Sequence, residues 1–133
     1  MKYLTGTFAF NLPDTLDTFQ DWHYPALHWD KPNVFDTTES PLGKWGINYG
    51  IDNPCGLPVA NHVRAAIDLL QEGYYSSFQG TREYFIGNER YTPLFFDKLT
   101  SLRQSPNWDK IDRAVGKEYG CTWLDFKGNH GLR

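Results

Sequence analysis

Apolar residues recur at every third or fourth position in three stretches after residue 57, a spacing typical of helices with one buried face. The first stretch predicts a helix over 58–72, with Pro58 in its first turn and Gly73 as its C-terminal cap. Two further helices are predicted over 93–104 and 108–119. The buried stripe of the first helix is Val59, Val63, Ile67 and Leu70, and the polar residues expected to face away from it are Asn61, Arg64, Asp68, Gln71 and Glu72.

The part of the chain before residue 58 favours strands and loops. Apolar and polar residues alternate over 2–11 and again over 44–50, which predicts two strands, and 121–126 is a candidate for a third. Between the first two strands, Pro25, Pro32 and Pro41 exclude a long helix, although Asp14 or Thr15 could cap a short one. The expected fold is a single α+β domain over 1–133, with a small antiparallel sheet and about three helices packed on one face.

The cysteine content and the N-terminus give the expected compartment. Cys55 and Cys121 are the two cysteines, and neither belongs to a Cys-x-x-Cys pair, so we expect free thiols. The N-terminal segment contains Asn11 and Pro13 where a signal peptide would remain apolar, and no stretch is long enough to span a membrane. These features predict a cytoplasmic protein.

Common catalytic motifs are missing from the sequence. It contains no Gly-rich phosphate loop, no His-Glu-x-x-His and no Gly-x-Ser-x-Gly. Asp21, His23, His28 and Asp30 could form a metal site, but their spacing is not helical, so we expect neither a metal nor a cofactor. His62 and Arg64 are more simply explained as helix residues than as catalytic groups, and Cys55 lacks an evident basic partner.

Charge and aromatic residues are unevenly distributed along the chain. Residues 1–60 contain three lysines and seven acids, a net charge of −4, whereas the whole chain carries −3. Acidic side chains steer a protein towards basic partners, and aromatic side chains supply affinity. The expected partner-binding residues are therefore in the 20–30 loop: Asp21, Trp22, His23, Trp29 and Asp30. The alternative is that Trp22 and Trp29 cover the core.

The second and third predicted helices are joined by a short connection that resembles the spacing of a helix-turn-helix, a motif that binds nucleic acid. The third helix contains Lys110, Arg113 and Lys117, but also the acids Asp109, Asp112 and Glu118, which would repel phosphates. The pair is therefore expected to be a helical hairpin of the core, and a nucleic-acid partner is not expected.

Three segments together carry a resemblance to a known family. They are Asp21-Trp22-His23, the six residues from Val59 to Arg64 (VANHVR), and Gly116-Lys117-Glu118-Tyr119. They resemble the "GDWH", "VANHIRA" and "GKEY" motifs of a family of small, largely uncharacterised bacterial proteins, and the resemblance extends from Tyr3 to Trp123. It departs from the family at Gln20, where the family has glycine. The resemblance implies a gene beside toxin-like genes and hence an antitoxin or accessory role.

The function expected from these features is non-enzymatic. The chain is predicted to bind and neutralise a protein partner, such as a toxin with a basic cleft, as an antitoxin, an immunity protein or a phage-type inhibitor. One alternative is a small enzyme acting on a nucleotide or modified macromolecule through His23, His62 or Arg64. Another is a nucleic-acid-associated or structural subunit.

Overall fold

A computed structural model describes residues 1–16, 18, 28–86 and 89–132, and it confirms the α+β class. The described part has more helices than expected. Its strands are β1 (Lys2–Leu4), β2 (Val34–Asp36), β3 (Ile47–Asn48) and β4 (Val59–Ala60). Its helices are α1 (Gly6–Phe10), α2 (His62–Glu72), α3 (Tyr75–Phe78), α4 (Thr81–Tyr84), α5 (Thr92–Leu99), α6 (Trp108–Tyr119) and α7 (Cys121–Asn129).

The sheet has the strand order β2-β1-β4-β3 and is mixed rather than antiparallel. β1 is antiparallel to β2, with Tyr3 opposite Phe35, and parallel to β4, with Leu4 opposite Val59. β4 is in turn antiparallel to β3. The prediction of an antiparallel sheet was wrong because the local alternation of residues does not indicate the long-range parallel pairing of β1 with β4.

The first predicted strand, 2–11, is only a strand as far as Leu4. Gly6 has a φ of 64°, a conformation that favours glycine, and it begins helix α1. Phe8, Ala9 and Phe10 are all buried, so alternation along the sequence did not correspond to two faces of a strand. The strand predicted over 121–126 was also wrong, because these residues lie in α7.

Helix α2 begins four residues later than predicted, because Val59 and Ala60 form β4. The side-chain oxygen of Asn61 caps the helix by accepting a hydrogen bond from the backbone N–H of Arg64 at 2.7 Å. Gly73, with a φ of 85°, ends the helix as predicted. Val63, Ile67 and Leu70 are buried as expected, but so are Asn61, Arg64 and Asp68, which corrects the prediction that these polar residues face away.

The predicted helices over 93–104 and 108–119 are confirmed. The first is α5 followed by a 3-10 turn at Thr100–Leu102, and the second is α6 with the bounds that the sequence indicated. Trp108, Ile111, Val115 and Tyr119 form the buried side of α6, and α7 packs beside this helix. Within the described ranges, no helix is both long and apolar enough to cross a membrane. Cys55 is half-buried and Cys121 exposed, and no disulfide joins them.

Candidate functional site

Two of the five predicted partner-binding residues, Trp29 and Asp30, are in the described part of the chain. Asp21, Trp22 and His23 lie outside it. Trp29 and Asp30 occupy the middle of a tight turn, which is closed by a hydrogen bond from the backbone N–H of Lys31 to the carbonyl of His28 at 2.9 Å. His28 and Asp30 are exposed, whereas Trp29 is half-buried.

The indole of Trp29 packs edge-to-face against the ring of Phe8. Their ring centroids are 5.0 Å apart, and the planes cross at 76°. This geometry is favourable for aromatic pairs because the positive edge of one ring meets the negative face of the other. Trp29 is thus partly a lid on the core, as the alternative interpretation held, and it still presents surface to solvent.

The acidic residues in the first half of the chain differ in burial and in ion pairing. The side chain of Asp14 is fully buried, and Asp36 forms an ion pair with the N-terminal amine at 3.1 Å. Hydrogen bonds from the backbone and hydroxyl of Thr38, together with this amine, lower the pKa of Asp36 to about 2. Asp30, Glu39 and Asp52 remain exposed. The acidic character of the described surface is therefore smaller than the sequence suggested.

Asp14 closes the N-terminus of helix α2. One of its carboxylate oxygens accepts a hydrogen bond from the backbone N–H of His62 at 2.6 Å, and the other accepts one from the side-chain amide of Asn48 at 3.0 Å. A negative charge at this end of a helix interacts favourably with the helix dipole. Asp14 thus fills from within the chain the position at which a helix could otherwise receive an external anion.

The ring of His62 is buried and directed into the fold. Its Nε2 lies 3.1 Å from the carbonyl oxygen of Ala9 and 3.0 Å from that of Leu12, so this nitrogen carries the proton and donates it. Nδ1 lies 3.8 Å from Asp14 and has no hydrogen-bond partner among the described residues. Burial lowers the pKa of His62, while the charge of Asp14 and the two carbonyls partly oppose that effect. His62 is therefore a neutral ring in the core.

Arg64 is the centre of a second buried network. Its Nη1 donates to the carbonyls of Gly43 (2.9 Å) and Trp45, and its Nη2 donates to the hydroxyl of Tyr3 at 2.9 Å. Nε donates to Oδ1 of Asp68 at 3.1 Å. The guanidinium therefore fastens the 43–45 segment and strand β1 to helix α2.

Asp68 accepts hydrogen bonds from two hydroxyls as well as from Arg64. Tyr3 and Thr5 both donate to its Oδ2 at 2.7 Å. Burial raises the pKa of Asp68, and the charge of Arg64 and the hydroxyl donors oppose that effect. Burial and the adjacent Asp68 carboxylate raise the pKa of the Tyr3 hydroxyl well above its usual range. Each partner donates to Asp68, which is the arrangement expected around an ionised carboxylate.

These networks were not found by sequence reasoning, although one signal was available. Arg64 and Asp68 are four residues apart, so they share a face of α2. The other faces of the helix contain Ala65, Ala66 and Leu69 in addition to the predicted stripe, and a helix that is apolar on most sides is buried. A charged pair on such a helix has to be satisfied inside the fold.

A metal centre finds no support in the described ranges, where no group of three or more His, Cys, Asp or Glu side chains comes together. The possible cluster of Asp21, His23, His28 and Asp30 is only half within those ranges, so the prediction that it binds no metal stays a prediction. No protein-family model, curated protein or solved structure matches the chain. The resemblance to the bacterial family accordingly remains an expectation from the sequence.

Proposed function

We propose that this chain is a non-enzymatic protein that binds and neutralises a protein partner through the surface around Trp29 and Asp30. The observation that carries the proposal is the placement of Trp29, whose half-buried indole packs on Phe8 and lies in a turn closed by a hydrogen bond. An aromatic side chain that is already held in place loses little conformational entropy when a partner covers it. Large aromatic residues of this kind dominate the affinity of many protein interfaces.

Two of the three residues named for the enzyme alternative support the same proposal, and the third, His23, lies outside the described residues. His62 and Arg64 are 1% and 0% exposed, and the hydrogen-bonding nitrogens of both point at internal partners. A general base or an anion-binding arginine has to contact its substrate. In the described part of the chain, these two residues are better suited to hold the fold than to perform a reaction.

The partner that this surface fits has a basic binding site. Asp30 is exposed next to Trp29. A carboxylate beside an aromatic anchor accelerates association with a basic cleft and makes the association rate sensitive to salt. A toxin that acts on nucleic acids or nucleotides is one protein with such a cleft, and the family resemblance in the sequence points the same way.

The test is affinity capture from the native host followed by measurement with the purified partner. Quantitative mass spectrometry is expected to identify one stoichiometric protein with the wild-type chain. Trp29→Ala should weaken its binding by over about 2 kcal/mol in calorimetry, the size of an interface hot spot. Asp30→Lys should slow association at low salt, whereas Asp52→Lys, the same charge reversal elsewhere, should have a much smaller effect.

Two controls separate binding from folding. Tyr74→Ala removes an aromatic side chain that is 49% exposed in another part of the surface and should leave binding intact. Thermal melting of Trp29→Ala has to show that the variant remains folded at the assay temperature, and Asp30→Lys provides an independent variant on an exposed side chain. A partner that binds both variants as tightly as the wild type would refute this site. Absence of a stoichiometric partner, together with turnover of a nucleotide, would favour the enzyme alternative.

A further inference from the structure

Helix α6 carries charged side chains on two neighbouring sides. Asp112 faces α7, where its carboxylate accepts hydrogen bonds from Nε1 of Trp123 at 2.7 Å and from Nζ of Lys127 at 3.1 Å. Asp109 and Asp112, together with Arg113, line a depression on that side. Of the acids that counted against an anionic ligand in the sequence, Asp112 is therefore paired on the α7 side, whereas Lys110, Arg113 and Lys117 form a basic stripe in which Arg113 borders both sides.

This basic stripe forms the rim of a groove between α3 and α6, which we call the α3–α6 groove. Its volume is about 230 Å³, and its lining consists of Tyr75, Gln79, Lys110, Arg113, Ala114, Lys117 and Glu118. Tyr75 and Ala114 are half-buried and pack against the core, so they give the groove an apolar floor. The three cationic side chains are exposed and form no ion pair with the described residues.

Glu118 is the one acid of the groove, and its charge is already satisfied. Its Oε2 accepts hydrogen bonds from the backbone N–H groups of Gly80 at 2.9 Å and Arg82 at 3.1 Å. These N–H groups are consequently not available to bind a phosphate. With three cations against one bonded carboxylate, the groove is a positively charged surface on a chain whose formal net charge is −3.

We infer that the α3–α6 groove binds an acidic amphipathic helix of a protein partner. Lys110 and Lys117 are seven residues apart, which places them about 10 Å apart along the helix axis with Arg113 between them. Carboxylates at positions i, i+3 or i+4, and i+7 of a second helix have the same spacing. Apolar side chains on that helix face would contact Tyr75 and Ala114, as in other complexes in which a helix occupies a groove.

The dimensions and the aromatic residue favour a helix over other anionic ligands. A volume of 230 Å³ is smaller than the roughly 300–1,000 Å³ of a typical small-molecule pocket, and it suits side chains projecting from a larger partner. Single-stranded nucleic acid binds by stacking its bases on exposed aromatic faces. Tyr75 is only half-exposed, and its hydroxyl accepts a hydrogen bond from Asn107 at 2.9 Å. This surface is independent of the one proposed around Trp29, and its charge is opposite.

The test uses a fluorescein-labelled helical peptide of Leu, Ala and Glu, with Leu and Glu on one face, and measures fluorescence anisotropy. We expect saturable binding that weakens with added salt and that is lost when Gln replaces each Glu of the peptide. The variant Lys110→Gln/Arg113→Gln/Lys117→Gln should weaken binding at least tenfold. A matched variant, Lys2→Gln/Lys44→Gln/Arg103→Gln, removes the same charge from exposed residues outside the groove and should weaken it less than threefold.

A second variant tests the apolar floor. Ala114→Glu introduces a carboxylate between the cations and should weaken the peptide at least tenfold while the fold, checked by circular dichroism, is retained. Equal loss of binding in the groove variant and the matched variant would overturn the site, as would the absence of saturable binding. If a twelve-nucleotide single-stranded RNA binds the groove more tightly than the peptide, and the groove variant abolishes that binding, the inferred partner class is wrong.

Discussion

The guanidinium of Arg64 and the carboxylate of Asp68 form an ion pair in the interior, with Nε and Oδ1 separated by 3.1 Å and neither side chain more than 1% exposed. A buried pair of charges contributes little net stability compared with apolar residues, because both groups lose their hydration. Its partners explain why it is nevertheless important here. Arg64 reaches carbonyls of the 43–45 segment and Asp68 reaches two side chains of the first five residues, so the pair fixes how three parts of the chain meet.

Asp68→Asn should be strongly destabilising, because it leaves the charge of Arg64 buried without a counter-ion. The expected loss in the free energy of unfolding is about 3–5 kcal/mol, measured by urea denaturation. Lys127→Gln removes a more exposed ion pair with Asp112 and should cost about 1 kcal/mol or less. The double variant Arg64→Met/Asp68→Leu should recover part of the loss. If Asp68→Asn had the same free energy of unfolding as the wild type, the ion pair of Arg64 and Asp68 would not be needed to hold the fold.

Leu70→Ala should create a cavity under helix α2, since Leu70 is fully buried. The expected cost is about 2–5 kcal/mol, because the neighbouring side chains can fill the space only in part. Leu124→Ala is the matched control, since this leucine is 58% exposed and its truncation should change stability by about 0.5 kcal/mol or less. Similar midpoints in denaturant for the two variants would contradict the core assignment.

The sequence predicted the helices whose two faces differ in polarity. Trp108, Ile111, Val115 and Tyr119 are buried in α6 while Asp109 is exposed, so periodicity alone located this helix. Periodicity failed where the structure depends on pairing between strands that are distant in the sequence. Val59 fits the apolar stripe predicted for α2, but Val59 and Ala60 pair in the sheet with strands from elsewhere in the chain.

The candidate site was less predictable than the fold for the same reason. Trp29 could be identified as an aromatic in a proline-rich loop, but its partner Phe8 lies in a segment that was expected to be a strand. Arg64 bonds to Gly43, Trp45 and Tyr3, which are 21, 19 and 61 residues away. No local pattern contains such contacts, so the sequence could suggest that Arg64 is special only through Asp68, four residues on.

The free energy of unfolding should fall as the pH decreases below about 6.5, the pKa of a histidine in an unfolded chain. Burial lowers the pKa of His62 in the folded protein, so the unfolded chain binds a proton that the folded one excludes. One such proton changes the free energy of unfolding by about 1.4 kcal/mol per pH unit between the unfolded and folded pKa values. Urea denaturation at pH 7.5, 6.5 and 5.5 measures this slope.

Two variants assign the slope to a residue. His62→Asn should flatten the pH dependence over this range, even if it lowers stability overall. His28→Asn, a change on an exposed ring, should retain the wild-type slope. Asp14 faces His62 and opposes the effect of burial, so Asp14→Asn should lower the folded pKa of His62 further and extend the slope to lower pH if the variant remains folded. Parallel curves for the wild type and His62→Asn would refute the assignment.

Gly46→Ala tests how closely the 43–45 segment and its neighbours approach helix α2. Gly46 has a φ of 76°, and a Cβ atom added there would lie 2.9 Å from the Cβ of Arg64, which is anchored in the buried network. Gly43→Ala provides a matched control, since Gly43 has a similar φ of 56° but no atom within 4 Å of an added Cβ.

Backbone strain alone should cost about 1–2 kcal/mol at each position. Gly46→Ala should therefore be clearly more destabilising than Gly43→Ala in thermal and urea denaturation, because Arg64 cannot move without breaking its hydrogen bonds. Equal losses for the two variants would mean that the helix and this segment are not in close contact.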